Sequence, residues 1–283
     1  MKNTIKLSLL ILLSFGWSVA GFAQEAETPE KDTRPVRSPF ESQYLLNNQT
    51  VITPTAKTLE YVIQHRFGKL NSESFDLLGL YAPSNIRMGI NFSLTEDLVF
   101  GIGSTKNSKI QDVNVKYAIL RQTRSGNIPV SMSVYANAAA DAREKEFFPS
   151  ATNRLSYFSQ LIISRKFNHR LSLQVSPSFG HFNIVETDVK HDNIMVSVNG
   201  RYRIVNQTSI IFEYDHQLTD QTAISPKPNL GIGIEMSTSS HAFQIFVSSF
   251  DAIIPQRNMV YGVNDFTQKE MLIGFNITRL WNL

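Results

Sequence analysis

The chain has no cysteine in 283 residues. That excludes a disulfide framework, thiol chemistry and a lipid carried on an N-terminal cysteine. Beyond its leader it has no run apolar enough for a helical membrane span, so a membrane location would have to come from the fold itself. It also has little net charge. The 27 Lys and Arg stand against 24 Asp and Glu, and setting aside Lys2 and Lys6 of the leader leaves a balance of +1. The basic pI is therefore no argument for nucleic acid, and no nucleic-acid partner is expected. A hydrophobic fraction of 42% suits a soluble protein and a transmembrane barrel equally, because half of every barrel strand is polar.

What is present begins with an export signal. Lys2 and Lys6 precede a mostly apolar run from Leu7 to Val19, and Gly21, Phe22 and Ala23 supply a cleavage site before Gln24. Residues 1–23 are thus expected to be removed. Residues 24–57 start rich in Glu, Thr and Pro and carry weak patterning after Phe40, which reads as a flexible segment able to plug a lumen, dock outside or simply lead in. Residues 58–283 alternate.

In the stretch 229–250, Leu230, Ile232, Ile234 and Met236 alternate with Gly231, Gly233, Glu235 and Ser237, and Ser239-Ser240-His241 then reverses the chain. This is period-2 patterning followed by a turn. The same unit recurs about six times, giving twelve expected strands near 58–69, 85–94, 98–104, 111–121, 128–139, 153–167, 171–182, 193–205, 209–217, 229–238, 242–249 and 268–279. Short links such as 95–97, 168–170 and 206–208 alternate strictly with mostly longer connections such as 70–84, 140–152 and 250–267. Short turns on one rim, long loops on the other, an even strand count and an export signal mark an outer-membrane barrel.

A secreted β-sandwich would use the same alternation with its faces exchanged. Against it stand the plain up-and-down order, strands of the roughly 9–11 residues that a tilted span needs, and a strand at the very C-terminus. Unpaired backbone groups are costly in hydrocarbon, so the last strand must pair with the first, about 59–67. The expected fold is all-β: a closed, antiparallel, up-and-down transmembrane β-barrel of about twelve strands in contact with outer-membrane lipid.

The inward positions are then the candidate site. Arg201, Glu213 and Glu235 fall on consecutive strands at similar distances from the short-turn rim, with Arg203 one inward step lower. They would form an internal ion-pair ladder or a charged constriction. Arg66 and Arg87 lie toward the loop rim and suggest a basic vestibule, unless loop residues such as Glu73 or Asp76 pair with them. His181, His191 with Asp192, His216 beside Asp215, and His241 after Ser240 match no nucleophile or metal spacing. No catalytic residue, metal or cofactor is expected, and the chain is not read as an enzyme.

The first-strand sequence Leu59-Glu-Tyr-Val-Ile-Gln-His-Arg-Phe-Gly68 and the hairpin sequence Gly231-Ile-Gly-Ile-Glu-Met-Ser-Thr-Ser-Ser-His-Ala-Phe-Gln244 resemble a bacterial outer-membrane β-barrel family of unknown function. Ser239-Ser240 stands where that family leads one to expect a glycine-rich turn. The resemblance implies fold and location only. Two functions are carried forward: a narrow channel or binding barrel for a small solute, and a non-conducting structural or accessory subunit that meets a protein partner through its long loops. They differ in whether residues 40–57 and the loops fill the lumen.

Overall fold

A computed structural model describes residues 32–70 and 77–283; the expected leader lies outside them. Two short strands, β1 (Tyr44–Leu45) and β2 (Asn48–Gln49), precede twelve longer ones. These are β3 (Thr58–Lys69), β4 (Asn85–Ser93), β5 (Leu98–Thr105), β6 (Ile110–Leu120), β7 (Ser131–Ala140) and β8 (Leu155–Lys166), then β9 (Leu171–Phe182), β10 (Asp192–Val205), β11 (Thr208–Gln217), β12 (Asn229–Ser237), β13 (His241–Ser248) and β14 (Leu272–Asn282). Each pairs antiparallel with the next, and β14 pairs with β3, setting Asn282 opposite Thr58 and Phe275 opposite His65. The twelve strands form a closed up-and-down barrel. The last strand starts four residues later than its pattern suggests, because Phe266–Gln268 form a 3-10 turn. Asp265 caps that turn through the Thr267 amide, and Lys269 ends it in the left-handed region at φ 63°.

The two faces of the wall settle which solvent the barrel meets. In β12 Ile232 is 56% exposed, whereas Glu235 is 1% exposed. The same inversion runs around the barrel: outward Phe100, Ile102, Val113, Tyr117 and Ile245 are exposed, and inward Gln64, Asn91, Ser133, Gln174 and Asn199 are buried. A soluble sandwich would bury the first set, so the apolar belt is a lipid-facing surface. Ile232 lies near the middle of β12 on this belt. Ile232→Lys is expected to lower the free energy of folding into bilayers by about 2–4 kcal/mol, read from urea titrations in lipid vesicles.

Two segments enter the lumen. From the short-turn rim, residues 40–53 rise as the β1–β2 hairpin and return to start β3. From the long-loop rim, the connection after β13 folds inward and carries helix α1 (Pro255–Tyr261), with Ile253, Ile254, Met259 and Val260 buried. Pro255 opens α1 at a position where its missing N–H costs nothing.

Candidate functional site: the stoppered lumen

The hairpin turns at Leu46 and Asn47, between the Leu45–Asn48 pair. Leu46 has φ 51°, a left-handed conformation that costs a branched residue about 1–3 kcal/mol. What holds it there is the wall. A Cβ on Gly231 would come within 2.5 Å of Leu46 Cδ2, so the leucine fills a notch that only glycine leaves open. On β9 Gly180 does the same for α1, where a Cβ would meet Met259 Sδ at 2.8 Å.

The turn presents its amides to a carboxylate. Glu213 accepts from the Asn47 and Asn48 backbone N–H groups at 3.0 and 3.1 Å, from Asn47 Nδ2 at 2.8 Å, and from Asn199 and Asn229 at 3.2 and 3.0 Å. Asp215 accepts from Asn48 Nδ2 at 2.7 Å. From the other side Arg66 donates to Asn47 Oδ1 through Nε and Nη2 at 3.2 and 2.9 Å, and to the Leu46 carbonyl at 3.2 Å. Its guanidinium lies over Phe246, 4.6 Å from the ring centroid. A guanidinium donor and two carboxylate acceptors thus converge on one turn, each satisfied by it, which is why these buried wall charges are tolerated.

Lower in the lumen the pattern repeats. Lys116 donates to the carbonyls of Ile52, Thr50 and Gln43 at 3.0, 3.3 and 3.5 Å, all on the hairpin segment. Glu60 accepts from Gln43 and Asn91, both at 2.6 Å. Near the short-turn rim Glu41 bridges Arg201 and Arg203 at 2.8 and 2.9 Å.

The charged residues singled out in the sequence do not all meet. Arg201 pairs with Glu235 at 3.1 Å, but Glu213 is not in that pair. The register sets Arg201 opposite Ile211 and Glu213 opposite Asn199 and Gly231, so strand stagger separates residues that plain counting places level. Arg66 and Arg87 form no basic vestibule: both are buried, and Arg87 makes a two-pronged bond to Asp112 at 2.9 and 2.7 Å. Glu73 and Asp76 lie outside the described residues. Asp112, Lys116 and Glu60 were not singled out, and Asp215 only as the neighbour of His216, although all four share the inward parity of the charged residues that were. Glu41 carries no such signal, because it precedes the first barrel strand.

Of the histidines, His181 meets Asp192 at 2.7 Å, His191 meets the Phe182 carbonyl at 2.6 Å, and His241 meets Ser240 Oγ at 3.2 Å. Among the described residues none joins both a serine and a carboxylate, and no cluster of His, Asp or Glu is placed to hold a metal ion.

The hairpin tip and α1 meet near mid-lumen. The cavity left between them, lined by Asn47, Arg87, Tyr135 and Ile254 among others, is about 20 Å³, room for roughly one water. Below it a vestibule of about 380 Å³ opens toward the short-turn rim, and above it one of about 220 Å³ opens toward the loops.

A lipid-faced, closed antiparallel barrel with its own chain packed in the lumen defines a membrane β-barrel protein of the stoppered kind. The chain belongs to the family described as Membrane bound beta barrel domain (DUF5777), whose model matches residues 40–281. That match begins at Phe40, so the hairpin is part of the family domain. No curated protein sequence matches the chain. Among solved structures it is similar to the NanC porin, at 11% identity and a TM-score of 0.50 over 80% of this chain and 99% of that one. It is also similar to an outer membrane channel from Pseudomonas putida F1, at 10% identity and 0.48 over 81% and 97%, and to the KdgM porin, at 9% identity and 0.47 over 78% and 98%. At these identities the likeness is one of fold.

Proposed function

We propose that the chain is an outer-membrane channel for a small polar solute, exported through its leader and held shut here by its own N-terminal hairpin and α1. In this orientation the short turns face the periplasm and the long loops face outside. One observation carries the reading: five buried charged residues of the wall, Glu60, Arg66, Lys116, Glu213 and Asp215, bond to the hairpin segment. Every hydrogen bond of Lys116 Nζ goes to a hairpin-segment carbonyl, and Glu213 takes the two backbone amides at the tip. Charges buried only to stiffen a wall are better replaced by apolar packing. Charges whose partners sit on a segment that can withdraw are left facing a hydrated path, as in pores lined with ionised side chains. No catalytic step is assigned to the barrel.

A second reading, a non-conducting accessory subunit, is favoured by the apolar part of the same packing, since Phe40, Leu45 and Leu46 are wholly buried. The absence of cysteine makes the two readings separable. Ser42 Oγ and Thr278 Oγ1 lie 3.4 Å apart, close enough for a disulfide in Ser42→Cys/Thr278→Cys to tie the hairpin to β14 with little movement. In planar bilayers the reduced double variant is expected to show discrete openings that vanish on oxidation and return on reduction. Silence of both the reduced variant and the unmodified protein across the voltage range decides for the non-conducting reading.

A further inference from the structure

The loop-side vestibule has a chemistry that the hairpin does not use. It is a cavity of about 220 Å³ between α1, the 141–154 loop and the 183–191 loop, floored by inward wall residues that include Ala139 and Ser156. Three guanidiniums line it, each against an aromatic ring: Arg143 lies 4.9 Å from Phe147, Arg154 4.8 Å from Phe148, and Arg257 5.2 Å from Tyr261. Such stacking orients a guanidinium while leaving its edge free to donate.

Their remaining donors differ. Arg143 is committed to Asp141 by paired bonds from Nε and Nη2, at 3.0 and 2.8 Å. Arg154 uses Nη1 on the carbonyls of Asp141 and Arg143, at 3.0 and 2.8 Å, leaving Nε and Nη2. Among the described residues the Arg257 guanidinium makes no hydrogen bond or ion pair. The nearby acid, Glu186, is engaged by the Tyr261 hydroxyl, which donates at 2.6 Å. Burial and that carboxylate push the Tyr261 phenol above its ordinary value, so it remains a donor. Phe182, edge-on to Tyr261 at 5.8 Å, extends the apolar side. Three cations face two acids that are already occupied.

We infer that this mouth cavity binds a small organic anion with a flat apolar body, an aryl carboxylate or a close analogue. Arg257 and the free edge of Arg154 take the carboxylate, and the Phe148 and Tyr261 faces take the ring. The volume equals roughly seven water volumes, which suits a single-ring acid rather than a larger ligand. The site stands apart from the channel reading, since occupancy requires no movement of the hairpin.

The test is 19F NMR of 4-fluorobenzoate with the full mature protein in detergent micelles, set against the isosteric neutral 4-fluorobenzamide. Saturable broadening by the acid, with the amide at least about tenfold weaker, is the expected result. Arg257→Gln is expected to weaken the acid at least about tenfold and leave the amide unchanged. Folding of the variant is checked by heat-modifiable gel migration, and Arg154→Gln gives a second reading. Lack of saturable binding by the unmodified protein, equal binding of acid and amide, or unchanged affinity in both variants would overturn the assignment.

Discussion

Deleting residues 40–53 from the mature chain is expected to raise single-channel current in planar bilayers at least about tenfold over the closed intact protein. The hairpin tip fills the side of the lumen lined by β3, β11, β12 and β14, where Arg66, Glu213, Gly231 and Asn276 bond or pack against it. The helix α1 packs against the other side, on β8, β9 and β10. Removing the hairpin therefore joins the lower vestibule to the upper one past α1 rather than through it. A milder variant tests the same idea without deletion. Gly231→Leu fills the Leu46 notch, so the tip has to leave its seat and openings should become more frequent. A deletion protein that still migrates as a heat-modifiable barrel and yet stays silent would mean that α1 alone seals the lumen.

Glu213→Ala should be the most damaging single change in the lumen, with an expected loss of about 3–5 kcal/mol in folding free energy. The carboxylate satisfies five N–H donors, two of them backbone amides at the hairpin turn. An orphaned buried donor costs about 1–3 kcal/mol, reduced where water can enter. Alanine leaves the two turn amides and Asn199 Nδ2 without this acceptor, while Asn229 Nδ2 keeps Asp215 and Asn47 Nδ2 keeps Ser248 Oγ. It also releases the strained turn at Leu46, so lower stability should appear together with more frequent openings. Glu213→Gln keeps one acceptor oxygen but sets an NH2 against the remaining donors, and should fall between. Urea titration in lipid vesicles reads the first effect and bilayer recording the second. A loss below about 1 kcal/mol would show that the released amides find water in the lumen.

The wall was legible in the sequence because a barrel writes itself in a local code. Alternation at i and i+2 gives each residue its face, and turn length gives each rim its identity, so Ile232 and Glu235 could be assigned opposite sides from their own neighbourhood. The closure of β14 on β3 followed from the cost of an unpaired edge in hydrocarbon. That residues 40–57 could plug the lumen was one of three readings open in the sequence; how they seat there was not legible, because it depends on contacts of long sequence separation. The hairpin has only two residues in each strand, too few for an alternation to register, and its turn uses Leu46 at a left-handed position where glycine is usual. Nothing near Leu46 announces that its partner is Gly231. Arg201 and Glu235 do pair, but Glu213 was misplaced for a related reason: counting from the rim ignores stagger, so Arg201 and Glu213 looked level although the register separates them. The 250–267 connection reads as one long loop because α1 is two turns long and half of its buried residues, Gln256 and Asn258, are polar.

The Leu46 carbonyl accepts from Arg66 Nη2 at 3.2 Å and from Asn276 Nδ2 at 2.8 Å. Those two side chains belong to β3 and β14, the first and last strands of the barrel, which must find each other across the whole length of the wall. Bringing such distant ends together carries the largest loop-closure entropy in the fold. A single oxygen on the hairpin turn clasps both edges, and Gln43 on Glu60 and Ser42 on Thr278 repeat the clasp lower down. The segment that blocks the lumen of the finished barrel thus also ties its seam, joining the two edges from within.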